Sequence, residues 1–132
     1  MIQLQQLTRE QAERTIAEQE LPADLRRVGR FTALVATQDW CPDWHAVSRW
    51  LKSHASNGRP EDIDITVFTV EYNRFECFES FLEMKEQTWQ NYFVPYIRYF
   101  VDGELVDESN SVSADAFVTT FRHSAAALDS GV

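Results

Sequence analysis

The sequence WCPDW at residues 40–44 decides the fold, because a cysteine and a proline stand there shortly after an apolar segment. That segment, RFTALVAT at residues 30–37, is short, apolar and partly β-branched, and it predicts a buried strand followed by a turn. Pro42 suits the first turn of a helix, where its missing N–H has no partner to lose. We therefore predict that Cys41 lies at the N-terminus of a helix that follows a buried strand.

Turn and capping residues bound the other predicted elements. Thr8 and Gln11 have the spacing of a capping box, which opens a helix that Pro22 ends. Asp102-Gly103 is a strong hairpin signal, and Ser113 suits the N-cap of the last helix. The predicted helices cover residues 9–20, 41–57, 75–85 and 114–125, and the predicted strands cover residues 30–37, 64–70, 95–101 and 104–107.

The order of these elements predicts a fold class. A strand, a long connection and a second strand imply a parallel pair with a right-handed crossover, and the hairpin adds an antiparallel strand. We expect an α/β fold with a mixed central sheet of four to five strands flanked by helices. The 132 residues fit one domain, with an N-terminal helix and connection over 1–29, a core over 30–126 and a frayed tail over 127–132.

Composition and charge narrow the function classes. The net charge is −9 and the only basic cluster is Arg26, Arg27 and Arg30, which argues against binding to nucleic acid or to anionic membranes. No apolar run reaches the ~18 residues of a membrane span, and residues 1–10 lack the pattern of a signal peptide. We expect an acidic cytoplasmic protein.

The chain has two cysteines, Cys41 and Cys77, which are expected to be free thiols in a reducing compartment. Their separation is not that of a metal site and the three histidines are scattered, so no metal is expected. For Cys77 we favour burial in the core, with a role as a second thiol as the alternative. Core packing is also predicted for a set of aromatic residues: Phe75, Phe78, Phe81, Trp89, Tyr92 and Phe93.

Three local features together resemble the thioredoxin superfamily. Residues 40–44 are similar to the family's W-C-x-x-C motif, and Val94-Pro95 is similar to its cis-proline facing the reactive cysteine. The step from Pro95 to Gly103 matches the family's spacing from that proline to the hairpin. The resemblance covers residues 30–125. It implies a thioredoxin-like fold, a cis bond before Pro95 and thiol–disulfide chemistry at Cys41.

The sequence departs from the family pattern at three positions. Trp44 stands where the family has its second cysteine, so dithiol chemistry within this motif is impossible. Val35 stands where many thioredoxins have a buried acid, and Asn110 or Ser111 replaces a glycine near the end of the last strand. We interpret Trp44 as a packing residue in the space of the missing cysteine, and Trp40 as a partly exposed contact surface beside the thiol.

The position of Cys41 favours its thiolate form, which is the nucleophile in disulfide chemistry, because a helix N-terminus stabilises negative charge. His45 lies on the same helical face and would add to this when protonated, although a surface histidine without a role is the favoured interpretation. Asp43 opposes the thiolate, and it stands where a basic residue for the carboxylates of glutathione is expected. A single thiol can hold a mixed disulfide until a second thiol, either a small one such as glutathione or Cys77, resolves it.

Two functions remain open. In the first, Cys41 is the catalytic thiol of a monothiol redox protein, and the Val94-Pro95 edge pairs with an extended peptide of a protein disulfide or with a small thiol. In the second, a redox-inactive module holds a protein partner on a surface formed by Trp40, Trp44 and Val94. No phosphate-binding loop, serine-hydrolase elbow or dinucleotide fingerprint supports an unrelated enzyme, and no cofactor other than a small thiol is expected. We favour the first function.

Overall fold

The computed structural model describes residues 1–57 and 63–130 of the chain. Five strands, five α-helices and one short 3₁₀ turn are found in this part of it. The strands are β1 (Ile2–Gln6), β2 (Phe31–Thr37), β3 (Ile65–Glu71), β4 (Tyr96–Val101) and β5 (Glu104–Ser109). The helices are α1 (Arg9–Glu18), α2 (Ala23–Arg26), α3 (Pro42–Asn57), α4 (Phe78–Gln87) and α5 (Ala114–Asp129), and the 3₁₀ turn is Tyr72–Arg74.

The strands form one mixed sheet in the order β1-β3-β2-β4-β5. β3 is parallel to both of its neighbours, whereas β4 is antiparallel to β2 and to β5. The Asp102-Gly103 turn joins β4 to β5, and both of its residues have positive φ angles, of 52° and 83°. This is the backbone that a two-residue hairpin requires, and it explains why an Asp-Gly pair predicted it. The predicted α/β fold with a mixed sheet is confirmed.

The central strand β2 is buried on both sides, which explains its continuous apolar run. Ala33 and Val35 face a core that contains residues of α3 and α5. Leu34 and Ala36 face a second core that contains residues of α1 and α4. The sheet therefore separates two cores, and the C-terminal end of β2 delivers the chain to the start of α3 at the middle of the sheet.

The first strand, β1, was not predicted, since residues 1–29 were expected to form a helix and a connection. Its apolar residues alternate with glutamines, but the pattern is short. Ile2 and Leu4 pack on the α3 and α5 side, and the strand forms a parallel ladder with β3. The Met1 ammonium group also donates to the Ile63 carbonyl oxygen, at 2.8 Å. Tertiary pairing, more than local propensity, makes this segment a strand.

The ends of several predicted elements differ from the observed ones by one to four residues. The helix predicted from Phe75 begins at Phe78, because a 3₁₀ turn and a bend precede it. The tail predicted to fray over 127–132 is helical as far as Asp129. Its carboxylate accepts from the Arg30 guanidinium at 2.6 Å, which ties the last turn of α5 to the residue before β2. Gly131 and Val132 lie outside the described residues.

Candidate functional site

Cys41 immediately precedes α3 and faces the loop before β4. Its thiol donates to the Val94 carbonyl oxygen, with 3.5 Å between Sγ and O. The Val94–Pro95 peptide bond is cis, as the resemblance implies. The ladder between β2 and β4 ends at the pair Ala36–Tyr96, so the main chain of Val94 lies just beyond it. The structure thus brings Cys41, Val94 and Pro95 together at one edge of the sheet.

The Cys41 side chain is only 5% exposed and belongs to the core on the α3 and α5 side of the sheet. Its main-chain carbonyl accepts from the His45 N–H at 3.1 Å, which closes the first turn of α3 after Pro42. Cys41 is therefore the N-cap residue of a 16-residue helix.

Trp44 is buried, with 5% of its surface exposed, and it packs in the same core as Cys41. Its indole N–H donates to the Glu71 carboxylate at 2.9 Å, at the end of β3. The structure agrees with the interpretation of Trp44 as a packing residue. It also shows that Trp44 is not part of an exposed binding surface, so the surface expected from Trp40, Trp44 and Val94 has to be corrected.

Exposed aromatic side chains directly precede both residues of the contact between Cys41 and Val94 in the chain. Trp40 is 61% exposed, and its indole N–H donates to the Gln38 side chain at 2.6 Å. Tyr92 and Phe93 are 64% and 71% exposed, so the prediction that they pack in the core is wrong. They belong to the loop that leads into Pro95, where no helix or strand period directs their side chains inward. We call Trp40, Tyr92 and Phe93 the aromatic rim.

His45 and Asp43 are exposed at the start of α3. The imidazole Nε2 of His45 lies 2.7 Å from the Asp39 carbonyl oxygen. Because a carbonyl only accepts, Nε2 carries the proton and its hydrogen bond holds the ring on the turn before Cys41. The proposed assistance of His45 to a Cys41 thiolate is thus not supported by a direct hydrogen bond to the sulfur. Asp43 lies in the first turn of α3, where its charge suits the helix dipole.

Asp39 was not singled out from the sequence, yet it anchors the turn that carries Trp40. Its carboxylate accepts from the Asn73 amide at 2.7 Å and from the Arg74 guanidinium at 2.9 Å. Its own N–H donates to the Asn73 side chain at 3.0 Å. These donors hold the pKa of Asp39 below its usual value. The sequence around Asp39 does not show that its partners lie in a 3₁₀ turn more than thirty residues later in the chain.

Cys77 lies on the other side of the sheet from Cys41. It occupies the N-cap position of α4 and packs against the core of the α1 and α4 side. Burial raises the pKa of its thiol, and the charged groups that influence it most are Glu13 and Arg9 of α1. The alternative in which Cys77 resolves a mixed disulfide on Cys41 within one molecule is therefore not supported, because the sheet stands between the two cores.

Asn110, which stands near the position of the family's glycine, contacts the loop before β4. Its amide nitrogen lies 3.3 Å from the Phe93 carbonyl oxygen and 3.2 Å from the Pro95 carbonyl oxygen. These are the carbonyls on either side of Val94. A glycine has no side chain for such contacts, so the replacement adds a support to the loop that carries the cis bond.

The fold can be compared with known proteins. No protein-family model matches the sequence, and no curated protein matches it either. Thioredoxin f2 of Chlamydomonas reinhardtii superimposes with a TM-score of 0.60 at 15% identity, over 91% of this chain and 94% of that chain. A reduced thioredoxin pre-protein of Schistosoma mansoni gives a TM-score of 0.58 at 13% identity, over 90% and 98% of the two chains.

A mutant thioredoxin of Halobacterium salinarum is similar as well, with a TM-score of 0.57 at 16% identity over 89% of this chain and 85% of that chain. At such identities the likeness concerns the fold, and the protein has the thioredoxin fold. None of the helices described is long and apolar enough to cross a membrane. Within residues 1–57 and 63–130, no group of three or more His, Cys, Asp or Glu side chains is arranged to hold a metal ion.

Proposed function

We propose that the protein carries out thiol–disulfide exchange through Cys41 alone and forms a mixed disulfide with a protein or peptide partner. The observation that carries the proposal is the placement of Sγ at the N-terminus of α3, 3.5 Å from the Val94 carbonyl oxygen. The main chain of Val94 lies beyond the last pair of the β2–β4 ladder, where an extended segment can pair with it. Such a segment would carry its disulfide directly to the sulfur of Cys41.

The exchange balances without an external oxidant. The Cys41 thiolate attacks one sulfur of the partner's disulfide, and the bond between the two partner sulfurs breaks. The other partner sulfur leaves as a thiolate and takes up a proton from solvent, equivalent to the one that Cys41 released. One disulfide is consumed and one is formed. A second thiol, such as glutathione or another small thiol, then attacks the partner's sulfur in the mixed disulfide as its thiolate. A disulfide between this thiol and the partner forms, and Cys41 leaves as a thiolate that can take up the proton that the second thiol released.

The aromatic rim supports a protein or peptide as the partner. Trp40, next to Cys41 in the chain, and Tyr92 and Phe93, just before Val94, expose large apolar surfaces in an otherwise acidic protein. Aromatic side chains are enriched at the centres of protein interfaces because they bury much area at little cost in conformational entropy. The net charge of −9 favours a basic partner.

One observation favours a second function, a binding module without redox turnover. Cys41 is 5% exposed, whereas the three aromatic side chains of the rim are more than half exposed. In this alternative the rim binds the partner and Cys41 is a small core residue. The site would then depend on Trp40 and Phe93 and not on the sulfur.

The reactivity of Cys41 tests the first function. We would incubate a Cys77→Ser variant with oxidised glutathione and with a peptide disulfide, and follow adducts by intact mass. We expect one adduct per chain, located on Cys41 and released by reduced glutathione. The rate of alkylation, measured on the same folded variant, should show that the Cys41 sulfur is accessible to a small reagent.

The matched control is a Cys41→Ser variant that retains the half-buried Cys77, because burial raises the pKa of that thiol. It should form no adduct at a comparable rate. If the Cys77→Ser variant forms no adduct unless it is unfolded, the redox function is wrong. Retained binding of a partner by that unreactive variant would then support the binding module.

A further inference from the structure

A buried lysine lies behind the loop that carries Val94. Lys85, in the last turn of α4, is only 1% exposed. Its ammonium nitrogen donates to the main-chain carbonyl oxygen of Asn91 at 2.9 Å and to its side-chain oxygen at 3.2 Å. It also lies 5.7 Å from the centre of the Tyr96 ring. The acceptors are neutral, and no salt bridge to Lys85 is found among the described residues.

Burial of an ammonium group without a carboxylate partner lowers the stability of the folded protein, because the charge loses its hydration. A lysine at this position therefore suggests that its contacts have a role. Burial lowers the pKa of Lys85 to about 8, and Glu86 is the carboxylate that acts against this shift. An uncharged side chain such as methionine would fill the same space without that cost. The lysine differs from methionine in its hydrogen bonds, and both of those are directed at Asn91.

Asn91 connects the lysine to the loop. Its side-chain oxygen also accepts from the Phe93 N–H at 3.2 Å and from the Asn110 amide at 3.1 Å. Its own amide nitrogen donates to the Asn110 side-chain oxygen at 3.1 Å. The two asparagines thus form a reciprocal amide pair. One member is held by Lys85, and the other reaches the carbonyls on either side of Val94.

We infer that Lys85, through Asn91 and Asn110, is a positioning residue that holds the Val94 carbonyl against Cys41 and thereby sets the reactivity of the thiol. Hydrogen bonds run from the ammonium group to the Asn91 side chain, from the Asn91 amide N–H to the Asn110 side-chain oxygen, and from the Asn110 amide to the Phe93 and Pro95 carbonyls. The main chain between those carbonyls carries Val94, whose own carbonyl accepts from the Cys41 thiol. For its chemical consequence the inference rests on the proposed function. The ordering of the loop is independent of it.

The test compares Lys85→Met and Asn110→Ala with a matched control, Lys52→Met, all in the Cys77→Ser background. Lys52 is the other lysine of the chain and is exposed on α3. Two quantities are measured on folded protein: hydrogen exchange at the Phe93 amide, and the rate of Cys41 alkylation against pH. We expect Lys85→Met and Asn110→Ala to speed exchange at Phe93 at least tenfold and to change the alkylation rate severalfold. Lys52→Met should change neither.

The outcomes separate the inference from the proposed function. Unchanged exchange at Phe93 in both test variants overturns the inference, because the loop would then not depend on the network. Faster exchange with an unchanged rate at Cys41 also overturns it, since the loop would then not govern the thiol. If Lys85→Met does not fold, Asn110→Ala decides, because Asn110 is partly exposed and carries no core packing. Failure of the proposed function appears separately, as the absence of a glutathione adduct on Cys41 in the Cys77→Ser parent.

Discussion

Replacement of Lys85 by methionine should change how stability depends on pH. The ordinary pKa of a lysine is 10.5, and burial lowers that of Lys85 to about 8 in the folded protein. Between these values the unfolded chain binds a proton that the native protein does not, so the free energy of unfolding rises with pH. At roughly 1.4 kcal/mol per pH unit, the rise from Lys85 is about 3 kcal/mol across this window. Below pH 8 both states are protonated, and the native state carries the full cost of the buried charge.

The assay is urea unfolding of wild type and Lys85→Met at intervals from pH 7 to pH 10.5. Burial also raises the pKa of Cys77 and of Tyr72. The contribution of these two groups to the free energy of unfolding is therefore present at lower pH and is lost as the pH rises through their pKa values in the folded protein. Both proteins share these groups, so the difference between them isolates Lys85. We expect Lys85→Met to be at least as stable as wild type at pH 7, with a difference that moves by about 3 kcal/mol in favour of wild type by pH 10.5. A difference that stays flat with pH would refute the reasoning.

Three further predictions concern the site. Trp44→Ala should lower the free energy of unfolding by about 3–5 kcal/mol through loss of a buried indole, and a urea midpoint within experimental error of wild type would contradict this. Asp39→Asn should lose less stability than wild type when the pH falls below 4. The lowered pKa of Asp39 stabilises the native state above the ordinary pKa of an aspartate, and this stabilisation is lost as the pH falls through the pKa of the folded protein. Melting temperatures that fall equally with pH in both proteins would contradict this. Phe93→Ser should leave the melting temperature unchanged, since the ring is 71% exposed, but weaken capture of a peptide partner; equal capture by both proteins would exclude Phe93 from the interface.

Much of the fold was predictable because its signals are local. The capping box of Thr8 and Gln11 forms as predicted, with both of its hydrogen bonds present. Ser113 caps α5 through the Ala116 N–H, and the Asp-Gly pair forms the hairpin turn. Each of these signals depends on residues at most three positions apart, so the sequence displays it directly. β1 was missed because its strand character depends on a ladder with β3, far away in the chain.

For the site, the resemblance to the thioredoxin superfamily predicted that Cys41 meets Val94-Pro95, whereas the surroundings of this pair depended on the tertiary structure. The proline after Cys41 and the Val94-Pro95 dipeptide are visible in the chain, and the structure brings Cys41 and Val94 to 3.5 Å. Sequence could not decide which aromatic residues are buried. Trp44 lies on the inward face of α3, whereas Tyr92 and Phe93 lie in a loop without a regular period.

Two other features were decided only by the packing of distant elements. The sheet places Cys77 in a different core from Cys41, because β2 and its neighbours have two faces and each core occupies one of them. The network of Lys85, Asn91 and Asn110 joins a helix, a loop and the residue after β5. The polar atoms of this network become partners only when the chain folds and brings residues 85, 91 and 110 together. A local sequence pattern therefore cannot show which of them pair.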